Sequence, residues 1–287
     1  MLIGLNLPSN LPGAQGDVIL EWATRADAGP FSSIGCLDRL VYGNYEPMMA
    51  LAAAAGVTKR VRLVTNVLLA SLRNAGVLAK EAASLDALSN GRLTLGLGIG
   101  RRADDFKAAP AEMAQRGNRF DAQLETMKRI WSGESLAVDI GPIGPAPVQQ
   151  GGPEVYIGGT NPAAIARVGR WADGYIAGSG LAANALNAYG QAVNSWKANG
   201  RSGKPKFMCV FHFALGPGAE EFGPACVLDY YRNLGAAAEP LAQAIPTSVK
   251  QVKEVIKARE YIGMDEIMFL PTVANIDQLE RLADIVG

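Results

Sequence analysis

In this 287-residue chain the stretch Gly158-Gly159-Thr160-Asn161-Pro162 is the one best suited to hold an anion. Asn is a favoured helix N-cap and Pro a favoured first helical residue, so a helix over Ala163–Trp171 is expected to begin here with free N–H groups facing the loop. Two glycines let a ligand approach the backbone, and a helix N-terminus favours a phosphate. The same residues would equally make a well-capped strand-to-helix turn. A second glycine cluster is Gly96-Leu97-Gly98-Ile99-Gly100-Arg101-Arg102. Gly98, Gly100 and Ala103 fit a dinucleotide pattern, with Asp121 at a suitable distance downstream. That site needs a helix at once, whereas Asp104–Pro110 reads as an irregular loop and the clear helix starts near Arg119. A glycine-lined strand end that admits a flat ring, with Arg101 or Arg102 facing an anionic ligand, is the better reading. Asp38, in Cys36-Leu37-Asp38-Arg39, is either a carboxylate placed for chemistry or half of a local pair with Arg39. His212 is the only histidine; it alternates with Met208 and Val210 and is either a core residue or a substrate contact. Asn6 either lines the site or caps the chain before Pro8. Phe106, Phe211, Phe213 and His212 would make a mixed apolar pocket.

These positions need a scaffold that gathers them. Eight apolar runs read as strands: Leu2–Leu7, Phe31–Leu37, Arg60–Leu69, Arg92–Gly98, Glu154–Gly158, Gly174–Ala177, Lys206–Leu215 and Asp265–Leu270. They are nearly continuous rather than alternating, as expected for parallel strands covered on both faces. Helical stripes lie between them: Leu78, Ala82 and Leu85; Phe120, Leu124, Met127 and Trp131; Val249, Val252 and Ile256. Eight βα units point to an α/β fold, a single TIM-type (β/α)8 barrel over residues 1–287, with a doubly wound sheet as competitor. Active sites of such barrels lie at the C-terminal strand ends, where Asp38 and both glycine clusters would fall. Ser135–Pro153 reads as a surface connection, and Gly216–Pro246 as partly helical (Ala225–Leu234, Ala236–Ala244) beside the barrel mouth. Thr58-Lys59-Arg60-Val61-Arg62 reads as a solvated turn.

Composition narrows the function. Lys+Arg is 27 and Asp+Glu is 27, so no basic surface advertises nucleic acid or a membrane. No apolar run approaches the ~20 residues of a membrane span, and the N-terminus lacks a basic leader. The three cysteines have no disulfide or metal spacing, and one histidine makes no metal cluster. A cytoplasmic protein with reduced thiols and no metal is the expectation.

The residues also resemble a known family. Arg73 through Leu93 resembles the third helix and the approach to the fourth strand of bacterial luciferase-like oxidoreductases. The likeness continues at Leu95–Gly100, Asp105-Phe106, Arg116–Asp121, Ile130–Glu134, Val155–Gly159, Ala172–Tyr175 and Gly263–Ile267. The resemblance implies a luciferase-like barrel, paired as a homodimer, that binds FMN or the deazaflavin coenzyme F-420 at the mouth. It implies a cis peptide at Asn66–Val67 backing the ring, a phosphate site at Gly158-Gly159-Thr160-Asn161, and cofactor contacts from Gly98, Gly100 and Arg101. Asp38 matches the family's Asp-His pair, but Arg39 stands where the histidine would be; it would supply a fixed positive charge near the ring. Asp38 and Arg39 are thus the candidate catalytic residues, with Asn6, Phe106 and His212 as candidate substrate contacts. The chain is shorter than true luciferases, which implies an open mouth and favours hydride transfer with F-420 to a small organic substrate. The alternatives are an FMN-dependent monooxygenase fed by a partner flavin reductase, and a flavin-binding protein without turnover. A barrel for another phosphorylated metabolite would require the resemblance to mislead.

Overall fold

The computed structural model describes residues 1–11 and 13–287. Among them lie β1 (Leu2–Asn6), β2 (Ser33–Cys36), β3 (Arg62–Leu69), β4 (Leu93–Gly98), β5 (Glu154–Gly158), β6 (Gly174–Ala177), β7 (Lys206–Phe213) and β8 (Glu266–Pro271). The helices are α1 (Gly16–Ala28), α2 (Pro47–Val57), α3 (Ala75–Leu88), α4 (Ala103–Ala108), α5 (Arg116–Trp131), α6 (Pro162–Trp171), α7 (Ala182–Ala198), α8 (Ala219–Tyr230), α9 (Glu239–Gln243), α10 (Val249–Tyr261) and α11 (Asp277–Val286). Every strand pair is parallel, and β1 pairs with both β2 and β8, so the sheet closes on itself in sequence order. This is the TIM-type barrel, and closure excludes the doubly wound sheet. Among the described residues no helix is long and apolar enough to cross a membrane.

Both strand faces are buried, which explains the continuous apolar runs. On β7, Phe207, Cys209, Phe211 and Phe213 pack outward in the helix layer, while Met208 and Val210 join Val64, Tyr156, Ile176 and Met268 inside. Phe211 and Phe213 therefore line no pocket at the mouth. The expected stripes hold on α3 and α5, whose named residues are all buried. On α10 only Val252 is fully covered.

The barrel floor is ionic. Arg62 reaches Glu154 at 2.8 Å and Glu266 at 3.3 Å, and bonds the Thr94 hydroxyl. The hydroxyls of Ser32 and Ser33 donate to Glu266 at 2.6 and 2.5 Å. Arg62 thus belongs to the floor rather than to a solvated turn, because the strand begins there and its even positions face inward. Arg60 stays exposed, as expected of the turn, and donates to the carbonyls of Asp27, Gly29 and Phe31 at the end of α1. A cavity of about 400 Å³ opens at this end between Arg62, Thr94, Tyr156, Lys206 and Glu266.

Two local expectations change. Ala103–Ala108 is a helix rather than a loop, and α5 starts at Arg116. The helix is one and a half turns long, too short to show a periodicity. A dinucleotide site is thus excluded by barrel closure and not by a missing helix. Asp121 is likewise no ribose ligand: it accepts from Arg167 at 3.0 and 2.9 Å and from the Trp171 indole at 3.2 Å, joining α5 to α6. In the segment before α10, α8 begins six residues earlier than expected and tolerates Pro224 inside it.

Candidate functional site

The C-terminal strand ends carry the candidate residues, and the structure separates Asp38 from Arg39. The Asp38 carboxylate accepts from the Leu69 N–H at 2.8 Å and from Arg73 at 2.6 Å. Arg73 extends its other arm to Glu46, the N-cap of α2, at 2.9 Å. Asp38 therefore ties β2 to the end of β3. The Arg39 side chain is 5% exposed and turns the other way, its Nε donating to Asp105 on α4 at 3.0 Å and its Nη2 to the Val41 carbonyl at 2.9 Å. Asp105 also accepts the N–H groups of Leu40 and Val41. Arg39 Nη1 is buried without a hydrogen-bond partner among the described residues. A buried charged donor left without an acceptor is costly, so Nη1 is free to take an acceptor from a ligand or a water.

The wall beside these residues is built from β3, β4 and β5. The Asn66–Val67 peptide is cis, and the β3–β4 register shifts between Thr65 and Leu68. Asn66 exchanges two amide hydrogen bonds with Asn6, at 3.0 and 2.6 Å, and both residues are buried. Asn6 is thus a brace for β3. A Cβ on Gly98 would lie 2.8 Å from Val67, and one on Gly158 would lie 2.9 Å from it. These glycines admit the Val67 side chain, so it is Val67 that they present to the mouth. A Cβ on Gly100 would stand 3.2 Å from the buried Phe106 ring, which packs beneath that loop.

At the glycine loop after β5, α6 starts at Pro162 with Asn161 as its cap. The cap uses the helix's own donors. Pro162 has no N–H, Ala163 donates to Asn161 Oδ1 at 2.9 Å, and Ala164 donates to the Asn161 carbonyl. The free N–H groups expected inside the helix are consumed by the very residue that signalled it. Gly159, Thr160 and Asn161 themselves are exposed.

Over the mouth lie residues that sequence reasoning missed. Arg101 is exposed, but Arg102 is buried and donates to the Tyr230 carbonyl at 2.6 Å, with its guanidinium 5.2 Å above the Tyr230 ring. Adjacent residues of an extended segment point opposite ways, so the Arg-Arg pair could not be resolved by type. Tyr230 is buried beside Leu37, Val67, Val210 and Leu270, and meets Tyr42 and Tyr231 edge-on at 5.3 and 4.9 Å. His212 faces them across 6.4 and 6.0 Å. Burial lowers the His212 pKa to about 4, so the ring is neutral at pH 7. The open mouth inferred from chain length is not what forms: α8 ends on top of it.

Comparison with known proteins now decides the family. The model of luciferase-like monooxygenases matches residues 4–268. The chain belongs to the luciferase-like monooxygenase family. Within it, a Mycobacterium tuberculosis protein without assigned function is 30% identical over 172 residues, covering 58% of this chain and 61% of its relative. A coenzyme F-420-dependent glucose-6-phosphate dehydrogenase of Beutenbergia cavernae is 30% identical over 186 residues, covering 56% and 52% respectively. These matches thus span about half to three fifths of the curated relatives' length. A monooxygenase of Streptomyces bottropensis superposes with a TM-score of 0.81 at 22% identity, covering 99% of this chain and 97% of its own. That likeness speaks for the luciferase-like barrel alone. Relatives in this family use F-420 or a flavin, and its members are oxidoreductases and monooxygenases.

The side chains present match the chemistry of such a cofactor, with the Tyr230 ring packed in the same cluster as Val67. Arg39 carries a buried donor, Nη1, without an acceptor, Val67 offers an apolar wall, and the Gly159-Thr160 loop, next to the Gly158 that lies against Val67, is exposed.

Proposed function

We propose that this chain is an oxidoreductase that holds coenzyme F-420 at the barrel mouth and moves a hydride to or from a small organic substrate. The observation that carries the reading is the buried Arg39 guanidinium with its unpartnered Nη1. When bound, the deazaflavin supplies two-electron hydride chemistry. Its reduced form gains negative charge, and a preorganised cation in a dry site favours that form. Arg39 is held for this role by Asp105, which also fixes the Leu40–Val41 backbone. Val67 backs the ring, Asn66 is braced by Asn6, and Gly98, Gly100 and Gly158 shape the wall. Arg101 and Thr160, both exposed, together with Gly159 and Asn161, take the phosphate-bearing tail. Asp38 acts through Arg73 and Leu69, as a positioning residue. His212 is neutral at pH 7, so it holds a substrate oxygen by hydrogen bond and does not serve as a protonated acid. Phe106 supports the loop from below.

The chain acts as a homodimer in this reading: α2 and α3 leave Met49 and Val77 exposed around a groove shared with Glu46 and Glu81. A second reading, an FMN-dependent monooxygenase supplied by a flavin reductase, is favoured by the covered mouth, since Tyr230 and Tyr231 would keep water from an oxygen-activating flavin. A flavin-binding protein without turnover is the third. Parallel fluorescence titrations of the purified chain with F-420 and FMN separate them. Tight F-420 binding alone supports hydride transfer; tight FMN binding with oxygen consumption in reduced FMN overturns it. Retention of either ring with no turnover leaves the third reading.

A further inference from the structure

Tyr230 occupies the mouth in an unusual way. It closes α8, yet its ring lies in the barrel's inner cluster with Leu37, Val67, Met268 and Leu270. Two buried cations flank it, Arg102 at 5.2 Å from its centroid and Arg39 at 5.6 Å from that of the neighbouring Tyr42. The hold is lateral as well. Arg102 donates to the Tyr230 carbonyl at 2.6 Å, and the Tyr42 hydroxyl donates to Asp229 at 2.8 Å.

The segment behind Tyr230 is a compact excursion between β7 and α10. Its ends are pinned together where the Ala214 N–H donates to the Pro246 carbonyl at 3.1 Å. Beyond Tyr231 a 3-10 turn over Arg232–Ala238 is broken at Gly235, whose φ of 55° and ψ of −134° suit glycine alone. A second small cluster, Val227, Ala242 and Ile245, holds α8 to α9, and Tyr231 joins it to the barrel's inner cluster. A flat ring seated on Val67 beside Arg39 would meet the Tyr230 ring.

We propose that Tyr230 is a self-supplied occupant of the ring's place. Arg102 and the Tyr42–Asp229 hydrogen bond latch it, and an anionic aromatic ligand displaces it by taking over Arg102 from the Tyr230 carbonyl. The inference rests on the cofactor reading above and adds its regulation. The chain binds its ring only in the fraction of molecules whose segment 219–243 has swung out. Apparent affinity is reduced by that fraction.

The test is a stopped-flow fluorescence titration of F-420 and of FMN against the full chain, Tyr230→Ala and Asp229→Ala, with hydrogen exchange over 219–243 read in parallel. Tyr230→Ala is expected to bind the preferred ring about tenfold more tightly, as for a competent fraction near one in ten. In the parent chain, ligand should raise exchange in that segment. Asp229 is half exposed, so its replacement leaves the core intact. It is expected to speed association about threefold by loosening one of the two latches. Equal or weaker binding by Tyr230→Ala overturns the proposal while the cofactor reading stands, since Tyr230 would then be a wall of the site. If Tyr230→Ala does not fold, an unchanged association rate in Asp229→Ala overturns it. Failure of both rings to bind any of the three chains overturns the cofactor reading and this inference with it.

Discussion

At the scale of single residues, chemistry follows from which partners a side chain has already spent. Asp38 and Arg39 are adjacent in sequence, yet one is consumed by Arg73 and Leu69 while the other retains a buried donor. Replacing Arg39 by Gln should weaken binding of the reduced ring about tenfold or more, the size of one charge-assisted hydrogen bond. A titration in both redox states checks this; equal loss in both would assign Arg39 a packing role. His212 gives a pH prediction. Its pKa is about 4 when folded, against an ordinary value near 6.5. Above that ordinary value it is neutral in both states and costs nothing. Between pH 6.5 and 4 the unfolded chain takes up a proton that the folded chain refuses, so stability falls with pH across this window. His212→Asn should flatten that part of the stability curve, as urea melts at pH 7.5 and 4.5 would show.

At the scale of elements, glycines and caps decide how strands hand over to helices. Val67 sits where Cβ atoms on Gly98 and Gly158 would stand. Gly98→Ala should cost about 1–3 kcal/mol by overpacking β4 against β3. Adding Val67→Ala should restore part of it, and a double-mutant cycle by thermal melting reads the coupling. Asn161 caps α6 through Ala163, so Asn161→Ala should cost about 1 kcal/mol. The same substitution frees only the Ala163 N–H, since Ala164 and Ile165 donate to the backbone carbonyl at 161, so it separates the cap from any direct contact with ligand: lost stability with unchanged ring binding identifies a cap alone. The strand assignments were legible because burial on both faces leaves a continuous apolar run. Helix α4 was not, because Ala-Asp-Asp-Phe-Lys-Ala is shorter than two turns and its one buried acid, Asp105, is justified only by distant partners, Arg39 and the Leu40 and Val41 N–H groups.

At the scale of the whole molecule, the barrel is closed by hydrogen bonds above and by charge below. Arg62 on β3 joins Glu154 on β5 and Glu266 on β8 across the floor, with Ser33 of β2 and Thr94 of β4 in the same network. Glu266 is almost wholly buried, so Arg62→Met strands its charge and should cost about 3 kcal/mol. Arg62→Met with Glu266→Gln should recover much of that loss in a chemical melt, because no uncompensated carboxylate is left. By itself the sequence determined the eight strands, their parallel βα order, the helix stripes on α3 and α5, and the strand ends at which chemistry would sit, while closure into a barrel rather than a doubly wound sheet came from the pairing of β1 with β8. Each of these is a local record of burial, written in which residues are apolar and how often they recur. Only the tertiary structure decided that Asp38 braces β3, that Asn6 pairs with Asn66, that Asp121 holds Arg167, and that Tyr230 lies in the mouth beneath Arg102. Those facts depend on which distant groups meet, and a side chain with a spare donor and one with every donor satisfied are spelled with the same letter.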